Sequence, residues 1–126
     1  RMTIIERAIE YIHDLFADNA GGHDAEHTMR VYQNALKIAK SEAEADSEVV
    51  SLAALLHDAD DHKLFDTKNN ANARGFLSSQ AVAPEIIEAI ITAINSVSFS
   101  KNRGKRPETL EGKIVQDAIA WMPLAL

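Results

Sequence analysis

Apolar residues return at helical spacing along almost the whole chain, and that period constrains the fold class before any motif is considered. Ile4, Ile5, Ala8, Ile9, Ile12, Leu15 and Phe16 recur every three or four positions and predict a helix over 3–18. "DNAGGHD" breaks it, with Gly21 and Gly22 as punctuation. Asp24 can cap a second helix over 25–42, with Val31, Ala35, Leu36, Ile38 and Ala39 facing inward. Asp46 or Ser47 caps a third, which runs to about Ala59. "DDHKLFDTKNN" reads as a loop, and a fourth helix follows over 70–80. Pro84 stands where a first helical residue would, with Glu85 beside the positive helix end, so a fifth helix runs to about Ile94. "SVSFSKNRGKRP" is a polar, basic loop. Pro107 and Glu108 then start a last helix carrying Ile114, Val115, Ala118, Ile119 and Trp121. No repeat, low-complexity tract or strand pattern interrupts this order. The expectation is an all-α fold, a single-domain helical bundle spanning 1–126.

Composition narrows the function classes. A chain of 126 residues, 46% of them apolar, can bury one real core. Nineteen acidic residues against thirteen basic ones give a net charge of −6, which argues against a general binder of nucleic-acid polymers. With no cysteine there is no disulfide framework, no thiol nucleophile and no thiolate zinc site. No run of about 18 apolar residues exists, so no membrane span is expected. The opening "RMTIIERAIEYIHDLF" lacks the continuous apolar stretch and small-residue cleavage site of a signal peptide. A cytoplasmic location is the expectation, and Arg1 ahead of Met2 reads as an added or trimmed start.

The stretch "SLAALLHDADDHKLF" carries the chemistry. An apolar helix face, Leu52 to Leu56, passes without a break into His57, Asp58, Asp60, Asp61 and His62. Negative charge at a helix C-terminus opposes the helix dipole, which favours a cation nearby. His57 and Asp58 point about 100° apart on a helix, yet both can reach one ion beside its end. His27, one turn into the second helix, can add another imidazole. Asp117 can add a carboxylate, because it interrupts the apolar "KIVQDAIAWM", where an unpaired buried charge would be costly. A mixed imidazole–carboxylate set suits Mn, Fe, Co, Ni or Zn, and Mg less readily. Each residue alone also has a plain structural reading: a surface or core histidine, a solvated acidic helix end. His13 and His62 read as surface residues.

"GGHDAEHTMRV", "AALLHDADDHKLF" and "EGKIVQDA", in this order, resemble the HD-domain superfamily of metal-dependent phosphohydrolases, in particular small bacterial members with the motif H-D-x-x-H-x-x-R-V. The resemblance implies an all-helical fold and one divalent metal held by His27, His57, Asp58 and Asp117. It implies hydrolysis of a small phosphorylated metabolite or a nucleotide. Asp61, three residues after Asp58, stands where many such enzymes place an acid near the attacking water, so Asp58 and Asp61 are the catalytic candidates. A surface aspartate is the other reading of Asp61. His23 and Asp24 would line the site, unless Asp24 serves only as a cap. Arg30 and Lys63 could meet phosphate. The basic loop of Lys101, Arg103, Lys105 and Arg106 is either solvated or an attractor for an anionic substrate.

The pattern departs after Ala118. Similar proteins continue from "QDA" into D-R-L-D-A and further helix, whereas this chain reads "IAWMPLAL". A domain shortened at its C-terminus is therefore expected, as a short variant, a truncated product or segments joined across a gap. Trp121, Met122, Leu124 and Leu126 form an apolar tail that needs cover, which a homodimer would provide. The alternative to an enzyme is a non-catalytic HD module that binds metal or nucleotide as a sensor or dimerising scaffold.

Overall fold

The computed structural model describes residues 1–18 and 23–121. Among them every regular element is a helix: α1 (Ile4–Leu15), α2 (His23–Ala39), α3 (Ser47–Leu56), α4 (Ala71–Ser79), α5 (Pro84–Ser96), α6 (Phe99–Asn102) and α7 (Leu110–Ala120). The all-α reading therefore holds, with one helix more than the sequence suggests. The extra one, α6, is a single turn inside the basic loop, too short to leave a periodic signature.

The core is built around α3. Its residues Val49 to Leu56 are all buried, and all but Ser51 are apolar, as suits a helix enclosed by others. It packs against α1, α2, α5 and α7. Leu52, Leu55 and Leu56 are fully enclosed. Burial of side chains this size stabilises by about 1.5–3 kcal/mol each. Asp46 starts α3 by accepting the N–H groups of Glu48 and Val49 at 3.1 and 3.2 Å. Its own N–H donates to Glu111 Oε2 at 2.9 Å, which ties the start of α3 to α7. Thr3 and Glu6 close a capping box on α1, which buries Ala8 and Ile12.

Several boundaries move for physical reasons. Asp24 does not cap α2; it lies inside the first turn, where its charge faces the positive helix end. Helix α3 stops at Leu56, with His57 as its last half-turn, rather than at Ala59. Helix α7 starts after Thr109, whose hydroxyl accepts the Gly112 N–H at 3.0 Å, not at Pro107. A β-carbon on Gly112 would lie 2.6 Å from Ser96 Oγ and 2.9 Å from Pro107 Cβ, so glycine lets α7 press against α5. At the other end, buried Asn34 of α2 donates to the Ala118 and Trp121 carbonyls at 3.0 and 3.3 Å.

The start of α4 is unusual. Its cap residue, Asn70, is left-handed (φ 56°) and its side chain makes no cap hydrogen bond. Asp60 does that work from ten residues upstream. Its carboxylate accepts the N–H groups of Asn72 and Ala73 at 2.8 and 3.0 Å and the Thr67 hydroxyl at 2.5 Å. The turn carrying the HD pair is thereby fastened to α4.

Candidate metal centre

His57 and Asp58 sit where α3 ends against α2, and His27 faces them from α2. Donor atoms of these three side chains all lie within 4.8 Å of one another. Asp58 Oδ2 is 3.4 Å from His57 Nε2 and 3.7 Å from His27 Nε2. Metal–ligand bonds of about 2.0–2.2 Å, at angles of about 90–130°, separate two ligand atoms by about 3.0–3.8 Å. Both separations from Asp58 fall in that range, as expected of ligands that share one divalent ion. The rings meet edge to face, with centroids 5.5 Å apart.

Orientation is fixed from behind. His57 Nδ1 lies 2.7 Å from the Ala54 carbonyl, which can only accept, so Nδ1 carries a hydrogen, and in the neutral ring Nε2 is the atom that presents a lone pair to the cluster. The His57 side chain is only 5% exposed, whereas Asp58 and His27 are 30% and 36% exposed and leave a side open to solvent. Burial, and then the neighbouring His57, hold His27 below its ordinary 6.5, against the pull of Asp58. Neutral imidazole is the ligand form.

Asp117 does not join this cluster. Its carboxylate forms a forked pair with Arg106, at 2.7 Å to Oδ1 and 3.2 Å to Oδ2. That hydrogen bonding holds the Asp117 carboxyl below the usual range. The expectation of a costly buried charge there also fails, since the side chain is 51% exposed. The apolar stretch around it misled because Asp117 occupies the outward face of α7.

The remaining candidates separate by position. Asp61 and Lys63 share a cavity of about 410 Å³ with His57, Asp58, Ser98 and Ser100. Asp61 Oδ1 accepts the Lys63 N–H at 3.0 Å. Asp24 and Arg30 lie near enough to act on the charge of His27, while His23 is exposed at the start of α2. Lys101 shares a second cavity, of about 280 Å³, with His57. Lys105 and Arg106 border a different cavity of about 380 Å³ that none of the three cluster residues lines. Arg103 is exposed at the left-handed end of α6. Sequence reasoning passed over Asp60, Asn70 and Asn95. Their partners lie 7 to 31 residues away, beyond any local pattern. Of the expected apolar tail, Trp121 is 39% exposed, and Met122, Leu124 and Leu126 lie outside the described residues.

An all-helical bundle presenting a His, His-Asp cluster at one helix end defines a class of metal-site proteins. The HD-domain family matches residues 24–118, more than half of the chain, and the chain belongs to that family, whose superfamily consists mostly of metal-dependent hydrolases. The uncharacterized protein YpgQ of Bacillus subtilis (strain 168) is 36% identical over 118 residues, covering 90% of this chain and 57% of that protein. The uncharacterized protein L803 of Acanthamoeba polyphaga mimivirus is 33% identical over 99 residues, covering 67% of this chain and 41% of that protein. The chain thus spans about half the length of these relatives. No solved structure matches it. No helix among the described residues is long and apolar enough to cross a membrane.

Proposed function

We propose that the protein is a metal-dependent phosphohydrolase acting on a small phosphorylated metabolite or a nucleotide. The observation that carries the reading is the convergence of His27, His57 and Asp58, with His57 and Asp58 also lining a polar cavity that bears Lys63. Three protein ligands with an open side are the arrangement of catalytic sites, whereas closed four-ligand sites are structural. Asp117, engaged by Arg106, leaves the set at three.

The three side chains would hold one divalent ion, with Mn, Fe, Co, Ni, Zn and Mg as candidates. When bound, it supplies Lewis acidity toward a phosphoryl oxygen and lowers the pKa of water. The Ala54 carbonyl keeps His57 in the ligating tautomer. Asp61 lines the Asp58 cavity and takes up a proton from the attacking water as general base. Lys63, on the same cavity, meets phosphate charge in a chain whose net charge of −6 would otherwise repel it.

The test is to strip the protein with chelator, reload it with Mn or Co, and screen phosphomonoesters and nucleotides for phosphate release. Turnover should require metal and vanish in His57→Ala. A protein that binds metal and is stabilised by a nucleotide, yet turns nothing over, would instead be the non-catalytic HD module.

A further inference from the structure

The cavity of about 280 Å³ beside His57 has a feature that the metal cluster does not explain. It is lined by residues from the α3–α4 loop, among them Asp60, Lys68, Asn69 and Asn70, and from the end of α5 and α6, among them Asn95 and Lys101. Lys101 Nζ donates to Asn95 Oδ1 at 3.1 Å and to Asn70 Oδ1 at 3.4 Å. Asn70 Nδ2 in turn donates to Asn95 Oδ1 at 3.0 Å. Two asparagine side chains from two other segments thus converge on one ammonium group.

Asn70 is only 3% exposed. It is held there by two successive left-handed residues, Asn69 (φ 57°) and Asn70 (φ 56°). Asparagine tolerates that conformation better than most residues, though it still costs energy that surrounding structure must offset. A lysine tethered in this way is pre-ordered, and the entropy of fixing its long chain is partly met before any ligand arrives.

The charge balance points to the ligand. Asp60 is the carboxylate on this wall, and it is hydrogen-bonded by the Asn72 and Ala73 amides and the Thr67 hydroxyl. Lys68 and Lys101 face the cavity with it. An ammonium group has three donors, and the two asparagine oxygens take two of them. The third donor remains for a ligand, as does the Asn95 amide nitrogen, since only the Asn95 oxygen is used in the contacts above. Of the four basic residues in the α6 region, Lys101 is the one that shares a cavity with His57; Arg106 is engaged by Asp117.

We propose that Lys101 and Asn95 form a phosphate-binding subsite for the substrate, with Asn70 as the positioning residue that holds Lys101 in place. This rests on the phosphohydrolase reading and gives its substrate a defined anchor.

Inorganic phosphate, titrated in chelator at constant ionic strength, probes the subsite without any contribution from metal. The wild-type chain should bind it. Lys101→Met should weaken binding about tenfold or more, as expected for loss of a charge-assisted hydrogen bond. Lys101→Arg should recover part of that loss. Asn70→Ser should weaken binding in the wild-type chain but add little in the Lys101→Met background, because it acts through the lysine. Circular dichroism and melting of Lys101→Met, an exposed position, report whether the fold is intact. Absence of phosphate binding by the wild-type chain, or affinity in Lys101→Met within about twofold of wild type, overturns the proposal. Failure of the hydrolase reading looks different: Lys101-dependent phosphate binding would persist while no metal supports turnover. If turnover is found, Lys101→Met should raise KM about tenfold with a smaller change in kcat, and an unchanged KM would also overturn the subsite.

Discussion

The corner where α3 ends against α2 and the outward face of α7 each present an aspartate that the HD pattern marks as a ligand. The two carboxylates meet opposite fates. Asp58 faces two imidazoles, 3.4 and 3.7 Å away, one of them locked in its tautomer by a backbone carbonyl. Asp117 faces a guanidinium that takes both of its oxygens. In its ligand form an imidazole carries no charge, so a bound metal would supply the cation that Asp58 needs; arginine is permanently charged, so Asp117 already has one. Position in a motif nominates a ligand, but the nearest fixed charge decides whether it is free to act as one.

The largest test of this contrast is His57→Ala. It removes a ligand and also the group whose orientation Ala54 fixes. Metal affinity measured by calorimetry should fall by more than about 100-fold, beyond the usual cost of losing an outer-shell partner. A fall of less than tenfold would break the assignment of the α3 corner. Asp60→Ala comes next. It leaves the ligands intact but strips α4 of its cap, and urea unfolding should show a loss of about 1–2 kcal/mol. An unchanged midpoint would mean that α4 holds itself.

A pH series sharpens the comparison further. His27 titrates below 6.5 in the folded chain and near 6.5 when unfolded. Between those two values the unfolded state binds more protons, so stability in chelator should rise as pH rises through this window and level off above about 7. His27→Gln should flatten that rise. Asp117 carries the opposite kind of shift, toward lower pH, and contributes only where carboxylates are ionised; that contribution is lost as pH falls through its depressed folded value. The smallest effect belongs to Asp117→Ala. Its pair with Arg106 is solvent-exposed, so the melting temperature should barely move, and by the same amount with and without metal. A loss seen only with metal would restore Asp117 to the ligand set.

The helices were legible because their apolar periods are long and their breaks are chemically marked, as at Asp46 and Pro84. The cluster of His27, His57 and Asp58 was legible because two of its members are adjacent and a helix end must place them together. Asp117 was misjudged because its flanking apolar residues cover only the inner face of α7, and sequence carries no sign that Arg106 folds back onto it. Lys101 was nominated by its basic loop, but the role of Asp60 and the tethering of Lys101 by Asn70 and Asn95 were invisible for a related reason. Their meaning lies in partners brought together by the loop after α3, and a loop has no period to read.

That loop has a kinetic consequence. Asp60 accepts amide hydrogens from α4, two residues beyond the carboxylate that faces the imidazoles. Any excursion that peels the first turn of α4 breaks these hydrogen bonds and frees the Asp60 carboxylate. The opening of the two segments should therefore be coupled. Loading the site with Mn should therefore lengthen the hydrogen-exchange lifetimes of Asn72 and Ala73, in a helix that contributes no ligand.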